Sequence, residues 1–372
     1  MRRRIKLPLA LDKFLRKNDS HGIPHSVHTS RCMMKAFIWS QVVLTLCLMG
    51  SALRAQTTEV SGRARIFDFL GIVTSPRASA MGAATIATMN DPSGLFENPA
   101  EISTLQRPDS SATYRALAVG FTKYILDINE GYIAYNQVLP DSGGTIAAGV
   151  QYMDFGSFQG YDVQGLPTGS FSSGDFALSV AYSNVTNQRI HYGVAVKFIS
   201  SSLASGSAVS QNYSATGVAA DAGLFYDFQP ALMTFGVSVL NAGTELSSYS
   251  GVREGLPLDV AVGLSKKLER LPFTAYLAFH NLTRDLEGHN WLYALNDFDV
   301  GGEFTLGKAF RLRFGYENQL RRNLTIPEGS GLAGFSVGLG FVIKQYQFDY
   351  AFNSMGPAFQ PLHRFGASMN FN

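Results

Sequence analysis

The sequence predicts an all-β protein, a transmembrane antiparallel β-barrel of about fourteen strands with an N-terminal segment in its lumen. Two observations lead to this fold class. From about residue 113 to the end, short segments carry an apolar residue at every second position, as a strand with one apolar and one polar face does. The connections alternate between tight turns and long polar loops, which is typical of barrels in the bacterial outer membrane.

The alternation is clearest in two segments. In 175–183 the even-numbered positions hold Phe, Leu, Val and Tyr, and the odd-numbered positions hold Asp, Ala or Ser. In 309–317 apolar and aromatic residues alternate with Arg311, Arg313 and Glu317. Charges in mid-strand beside aromatics suit a polar lumen inside a lipid-facing wall. A soluble β-sandwich gives the same alternation with the faces reversed, so the pattern alone fits both folds.

The lengths of the connections favour the barrel. Candidate strands begin near residues 113, 131, 144, 175, 189, 216, 233, 258, 272, 297, 308, 332, 345 and 362. Connections after even-numbered strands are short, whereas those after most odd-numbered strands are long and rich in Ser, Gly and Asn, namely 156–174, 200–215, 241–257, 283–296 and 318–331. An outer-membrane barrel sorts its loops in this way because turns face the periplasm and loops face outward. A soluble sandwich has no reason to do so.

Residues 1–55 read as an upstream extension followed by a signal peptide. Arg31 and Lys35 precede an apolar run at 36–50, and small residues with plausible cleavage sites after Ala52 or Ala55 follow it. The polar residues before Met33 suggest that Met33 or Met34 is the true start, with a long cytosolic tail as the alternative. We therefore expect export through the periplasm to the bacterial outer membrane. Both cysteines lie in this leader, which suits an oxidising compartment.

Charge and hydropathy exclude two classes. Ten of the 30 basic and two of the 28 acidic residues lie in 1–55, so the remaining chain carries 20 basic and 26 acidic residues. This mildly acidic balance argues against nucleic-acid binding. After the leader, no apolar run is long enough for a membrane-spanning helix, which excludes a helical membrane protein.

Residues 56–110 differ from the rest and are predicted to form a compact N-terminal segment, with the barrel following at 111–372. Small residues cluster at 78–84, and two proline-containing motifs follow, at 91–94 and at Asn98-Pro99-Ala100. Alternation is weak here, and proline interrupts strands. We expect this segment to lie in the lumen or at the periplasmic mouth, with a structural packing role for Asn98, Pro99 and Ala100.

No catalytic or metal-binding constellation stands out, so a non-enzymatic protein without a cofactor is expected. Gly334, Ser336 and Gly338 match a nucleophile pattern, but no helix follows Ser336, and His363 alone does not complete a triad. The remaining histidines are not spaced as metal ligands, so no metal site is expected.

Two loops are candidates for binding partners. Trp291 and Tyr293 present aromatics that anchor interfaces, although an aromatic belt at the membrane surface explains them equally well. Arg321 and Arg322 suit an acidic partner, and a solvated loop tip is the plainer alternative.

The chain resembles the PorV/PorQ family of outer-membrane proteins, and its PorQ branch more closely. The N-terminal motifs Phe67-Asp-Phe-Leu70, Ser75-Pro-Arg-Ala-Ser-Ala-Met-Gly82 and Asn98-Pro-Ala100 carry this resemblance. Segments 127–135, 147–156, 169–171, 253–257, 263–267, 314–316 and 331–336 extend it through the barrel.

The resemblance implies a FadL-like barrel of fourteen strands in the type IX protein secretion system, with residues 56–110 as a lumenal hatch. It implies an anchor for a cell-surface attachment complex, with membrane lipid and PorZ-like, PorU-like and PorV-like surface proteins as partners. One alternative is a PorV-like cargo shuttle. Another is a FadL-like channel for hydrophobic molecules, which requires an apolar pocket, whereas the inward positions identified from the sequence are Gly, Ala, Ser, Asp and Arg.

Overall fold

The computed structural model describes residues 65–105, 114–124, 126–140, 143–206, 213–249, 251–283, 291–326, 329 and 331–371. Fourteen strands form one closed barrel in sequence order, and β1 pairs with β14 to complete it. Every pair of neighbouring strands is antiparallel. The predicted fold class, an antiparallel β-barrel of about fourteen strands, is confirmed. Closure of the barrel leaves no strand edge unpaired.

The strands are β1 (Tyr114–Lys123), β2 (Asn129–Val138), β3 (Thr145–Tyr161), β4 (Pro167–Thr186), β5 (Ile190–Gly206), β6 (Tyr213–Phe228), β7 (Met233–Ser247), β8 (Asp259–Lys267), β9 (Phe273–Phe279), β10 (Phe298–Leu306), β11 (Phe310–Glu317), β12 (Phe335–Ile343), β13 (Tyr346–Asn353) and β14 (Leu362–Phe371). All predicted starts lie within three residues of these bounds except that of β4, which begins earlier.

The predicted long loop at 156–174 is wrong, because most of it is strand. β3 and β4 stay paired as far as Tyr161 and Pro167, and a turn at 162–166 joins them. The predicted loop at 200–215 likewise contains the ends of β5 and β6, and its residues 207–212 lie outside the described residues. These extensions are rich in Ser and Gly, and their side chains do not alternate. Alternation reports what each face of a strand touches, whereas pairing needs only backbone hydrogen bonds.

The parity of the other connections follows the prediction, apart from the short β1–β2 link at 124–128. The long connections at 248–258, 280–297, 318–334 and 354–361 all lie at one end of the barrel. We call this end the outer mouth. The end with the short turns is the inner mouth, following the usual orientation of outer-membrane barrels.

The two faces of the wall differ as predicted. Phe314, on the outside, is 41% exposed, and Val180 and Val337 are similarly open. Arg313, beside Phe314 but turned inward, is 1% exposed, and Ala177 and Ser179 are fully buried. Outer-membrane barrels turn such an apolar belt toward lipid. In the described part of the chain, no helix combines the length and the apolar character needed to cross a membrane.

Residues 65–105 lie inside the barrel, and we call them the hatch. They contain the short helix α1 (Pro76–Ala80) and three 3-10 turns, Asp68–Gly71, Gly94–Phe96 and Glu101–Thr104. Ser75 caps α1 by accepting a hydrogen bond from the backbone of Ala78, and Pro76 suits its first turn. The hatch descends from the outer mouth, where Arg65 bridges to Gly255, to the inner mouth.

Candidate functional site

Glycines on the barrel wall receive the backbone of the hatch. A Cβ atom on Gly315 would lie 2.1 Å from the backbone nitrogen of Gly82, and one on Gly193 would lie 2.3 Å from the carbonyl carbon of Pro99. A Cβ atom would also crowd hatch backbone at Gly223, Gly236, Gly263 and Gly301, and hatch side chains at Gly149, Gly338 and Gly366. Only glycine permits an approach this close. The hatch is therefore packed against the wall on several sides.

Asn98 organises the lower half of the hatch. It is fully buried, and its side-chain amide donates to the carbonyl oxygen of Ile86 at 2.9 Å. Its side-chain oxygen accepts from the backbone of Ala100 at 3.0 Å. Further hydrogen bonds tie the hatch to the wall, namely Ser79 to Asn353, Ser336 to Ala80, Thr234 to Ala87, Asn136 to Pro92 and Ser183 to Ala100.

Buried charges join the hatch to three strands. Arg313 on β11 contacts Glu303 on β10 at 2.7 Å and Asp349 on β13 at 2.5 Å. Arg77 of α1 lies 3.5 Å from Glu303 and 3.5 Å from Asp91. A buried charge without a partner is costly, and removal of Arg313 would take the ion-pair partner from Asp349 and leave Glu303 with Arg77 alone.

A cavity of about 400 Å³ lies above the hatch at the outer mouth, and we call it the outer cavity. Part of its wall is apolar and comes largely from the hatch and the strand ends, namely Leu70, Ile72, Val73, Phe96, Leu240 and Met355. The cavity is also lined by Glu97, Asp259, His280, Asp299 and Glu317, which we call its acidic side. The pocket thus combines an apolar side with an acidic side.

The acidic side centres on His280, which follows β9. Its Nδ1 atom lies 2.7 Å from the carboxylate of Asp259, and its Nε2 atom lies 3.4 Å from that of Asp299. Burial alone would lower the pKa of His280, but the carboxylates of Asp259, Asp299 and Glu97 together outweigh it and raise this pKa to about 10. At neutral pH the imidazole of His280 is therefore cationic. Burial also raises the pKa of Glu97, which lies in the hatch, to about 7.

An apolar cluster beside the outer cavity is filled by the chain itself. Phe67, Phe69 and Leu70 of the hatch pack against Met153 and Ile199 on the wall. Ile66 and Leu256 also belong to this cluster, and so do Ala177, Ala215 and Ala219. Their small side chains leave room for the two phenyl rings inside the barrel.

The predicted partner-binding residues lie on two neighbouring connections at the outer mouth. Trp291 and Tyr293 belong to the 3-10 helix Trp291–Asn296 between β9 and β10, and their side chains lie outside the described residues. Arg321 and Arg322 belong to helix α2 (Asn318–Asn323) between β11 and β12. Arg322 forms an ion pair with Asp297, whereas Arg321 is exposed. The charge of Arg322 is thus paired within the protein itself.

Ser336 lies in strand β12, where its hydroxyl donates to the carbonyl oxygen of Ala80. His363 lies on the outer face, 2.8 Å from the hydroxyl of Tyr350, so the two residues do not meet. Among the described residues, no group of three or more His, Cys, Asp and Glu side chains is arranged to hold a metal ion.

Sequence reasoning did not single out the acidic side of the outer cavity. A usable signal existed, because Asp259, His280, Asp299 and Glu317 lie at the outer ends of four consecutive strands and face the lumen. The apolar side was missed because the hatch supplies much of it, and the inward positions of the strands do not reveal it.

No protein-family model matches the chain, and no curated protein matches it. Among solved structures, it is similar to the toluene transporter TbuX of Ralstonia pickettii, with a TM-score of 0.51 and 14% identity over 82% of this chain and 98% of that one. It is also similar to the toluene transporter TodX of Pseudomonas putida, with a TM-score of 0.51 and 11% identity over 82% of this chain and 99% of that one. The PorV/PorQ resemblance stays a prediction. The chain has the fourteen-stranded fold of FadL-like outer-membrane transporters.

Proposed function

We propose that this protein is an outer-membrane barrel that takes up small hydrophobic molecules through the outer cavity. The apolar side of that cavity carries the proposal, since its volume of about 400 Å³ suits a small organic ligand. Both similar structures are named toluene transporters, which supports the same class of substrate.

Passage would require the hatch to move. Phe67, Phe69 and Leu70 occupy the apolar cluster next to the cavity. An entering hydrophobic molecule would therefore compete with these side chains for contact with the apolar residues of the wall. Below them, the hatch is packed against the wall glycines. Binding at the outer cavity would therefore come first, and displacement of the hatch would follow.

Toluene uptake into proteoliposomes that contain the full chain tests this proposal. A reversible lock on the hatch is available at Ser79 and Asn353, whose side chains are 2.7 Å apart. With Ser79→Cys and Asn353→Cys combined, we expect uptake to stop on oxidation and to return on reduction. Each single variant is the control and should transport in both states. Toluene uptake equal to that of empty liposomes would contradict the proposal.

A second candidate is a non-enzymatic component of the type IX protein secretion system that anchors a cell-surface attachment complex. The PorV/PorQ resemblance favours it, and two of its motifs, 75–82 and 98–100, lie in the closely packed hatch. The neighbouring connections 280–297 and 318–334 at the outer mouth would bind the partner. A PorV-like cargo shuttle is the variant of this candidate in which the partner is released.

Affinity purification from outer membranes tests this second candidate. Recovery of a large surface protein that is lost on trimming residues 283–296 or 318–331 would support anchoring. Trimming of the inner turn at 268–272 is the control and should leave recovery unchanged. Uptake of toluene with no retained surface protein would count against anchoring.

A further inference from the structure

The outer cavity is lined by more acidic than basic side chains. Glu97, Asp259, Asp299 and Glu317 face one imidazole, that of His280. The two arginines on the cavity wall have carboxylates of their own. Arg364 lies 2.9 Å from Glu130, and Arg65 lies close enough to Asp68 to lower the pKa of this carboxyl, which burial raises. With these arginines counted, the cavity lining holds five acidic side chains and three basic ones.

Asp299 is the residue whose surroundings are incomplete. It is 3% exposed, and one carboxylate oxygen lies 3.4 Å from His280. The other oxygen, Oδ1, is buried and has no hydrogen-bond partner among the described residues. A buried carboxylate oxygen without a donor is costly, because it has lost its water and gained nothing in return.

Glu317 adds a second carboxylate beside it. Asp299 on β10 lies directly opposite Glu317 on β11, and both line the outer cavity. Side chains at such opposite positions are separated by about 4.5–5.5 Å at their Cβ atoms, and like charges there repel each other. A cation placed between the two carboxylates would remove the repulsion and would give Oδ1 of Asp299 a donor.

The apolar lining of the cavity indicates which cation would fit. Leu70, Ile72, Leu240 and Met355 line the same cavity as the carboxylates, and Leu240 on β7 is the strand partner of Asp259 on β8. A bare metal ion gains nothing from such a surface, whereas an organic ammonium ion places its apolar body there and its charge on the acids.

We propose that the outer cavity binds amphipathic organic cations, with a protonated amine between Asp299 and Glu317 and an apolar body against the hatch. This inference rests on the proposed uptake function and narrows its substrate class. A hydrophobic molecule with a basic group would be preferred over a neutral molecule of the same shape.

Three ligands with one benzyl or phenyl body test the preference, namely benzylamine, benzyl alcohol and benzoate. Calorimetric titration of the refolded full chain in octyl glucoside at neutral pH measures their affinities. We expect benzylamine to bind at least tenfold more tightly than benzyl alcohol, and benzoate to bind least. Asp299→Asn and Glu317→Gln should each lower benzylamine affinity about tenfold and leave benzyl alcohol affinity unchanged. Glu269→Gln, which removes an exposed carboxylate on an inner turn, is the matched control.

The outcomes separate the two proposals. Equal affinities for benzylamine and benzyl alcohol, or a preference for benzoate, would overturn the cation site and leave the uptake function standing. Loss of benzyl alcohol binding in Asp299→Asn would also overturn it, because the carboxylate would then act on the fold of the cavity. Failure of all three ligands to bind, together with absent toluene uptake, would overturn both.

Discussion

Asn98 illustrates how one side chain holds a segment that has little regular structure. The hatch forms few backbone ladders, so its polar groups need partners from side chains. Asn98 supplies a donor to Ile86 and an acceptor to Ala100 within the hatch, and its amide also reaches the carbonyl oxygen of Leu224 on the wall at 3.5 Å. The sequence singled out the Asn98-Pro99-Ala100 motif, but its partners become visible only in the folded barrel.

Replacement of Asn98 by alanine should destabilise the hatch. The backbone groups of Ile86 and Ala100 would remain buried without a partner, at a cost of roughly 1–3 kcal/mol. The temperature at which the unboiled barrel loses its characteristic gel mobility measures the effect. Asn370→Ala, at an exposed position near the inner end of β14, is the control and should change little. An unchanged transition in Asn98→Ala would show that the hatch does not need this side chain.

Glu97 links the stability of the hatch to pH. Burial raises its pKa from 4.5 to about 7, so the folded protein binds a proton that the unfolded chain releases. This contribution to stability is present below pH 4.5 and is lost as the pH rises through about 7. We expect a higher unfolding temperature at pH 5.5 than at pH 8, and a smaller difference in Glu97→Gln. Equal pH dependence in Glu97→Gln and Glu269→Gln would contradict this assignment.

At the scale of elements, the hatch and the strands are fitted to each other. Inward glycines allow the hatch backbone to approach the wall, and α1 lies next to β11, β12 and β13. The glycines themselves are visible in the sequence. Their role in receiving the hatch is not visible in the sequence, because an inward glycine in a strand has the same local pattern whether it faces water or another backbone.

A side chain at Gly315 should displace the hatch. A Cβ atom there would lie 2.1 Å from the nitrogen of Gly82 and 2.2 Å from the carbonyl carbon of Met81, and both of these are backbone atoms that cannot rotate away. We expect Gly315→Val to cost about 1–3 kcal/mol of stability, as overpacking does, and to make the hatch more susceptible to proteolysis. Gly255→Ala, where a Cβ atom meets nothing within 4 Å, is the control. Equal protease resistance in both variants would refute a tight fit.

At the scale of the whole molecule, the belt and the extended hairpin lie in different surroundings. Phe314 sits at the middle of β11 on the outer face, with Phe273 and Phe304 nearby. Phe158 lies on the part of β3 beyond the alternating region and stacks on Phe171 of β4. Both phenylalanines are exposed to a similar degree in the isolated chain. We expect lipid to cover Phe314 and water to cover Phe158.

Substitution of arginine at these two positions should distinguish a lipid-facing position from a water-facing one. Phe314→Arg places a charge in the middle of the belt, which costs roughly 2–4 kcal/mol in a bilayer, and we expect it to lower the yield of folded barrel in liposomes. Phe158→Arg should fold with nearly normal yield, since it loses only an aromatic contact worth about 0.5–1.5 kcal/mol. The heat-dependent shift in gel mobility reports folding in both variants. Equal yields would show that the belt does not touch lipid at Phe314.

The sequence by itself determined the number of strands, their order and the residues on each face. Alternation and turn composition are local, so each strand can be predicted from its own residues without knowledge of its neighbours. Only the tertiary structure decided where the hatch packs, how far β3 to β6 extend and what lines the outer cavity. Pairing of β8, β9 and β10 brings Asp259 and Asp299 together, and the hatch inside the barrel adds Glu97 to the same cavity. The paired residues beyond the belt carry no alternating apolar pattern, as we expect where water covers both faces.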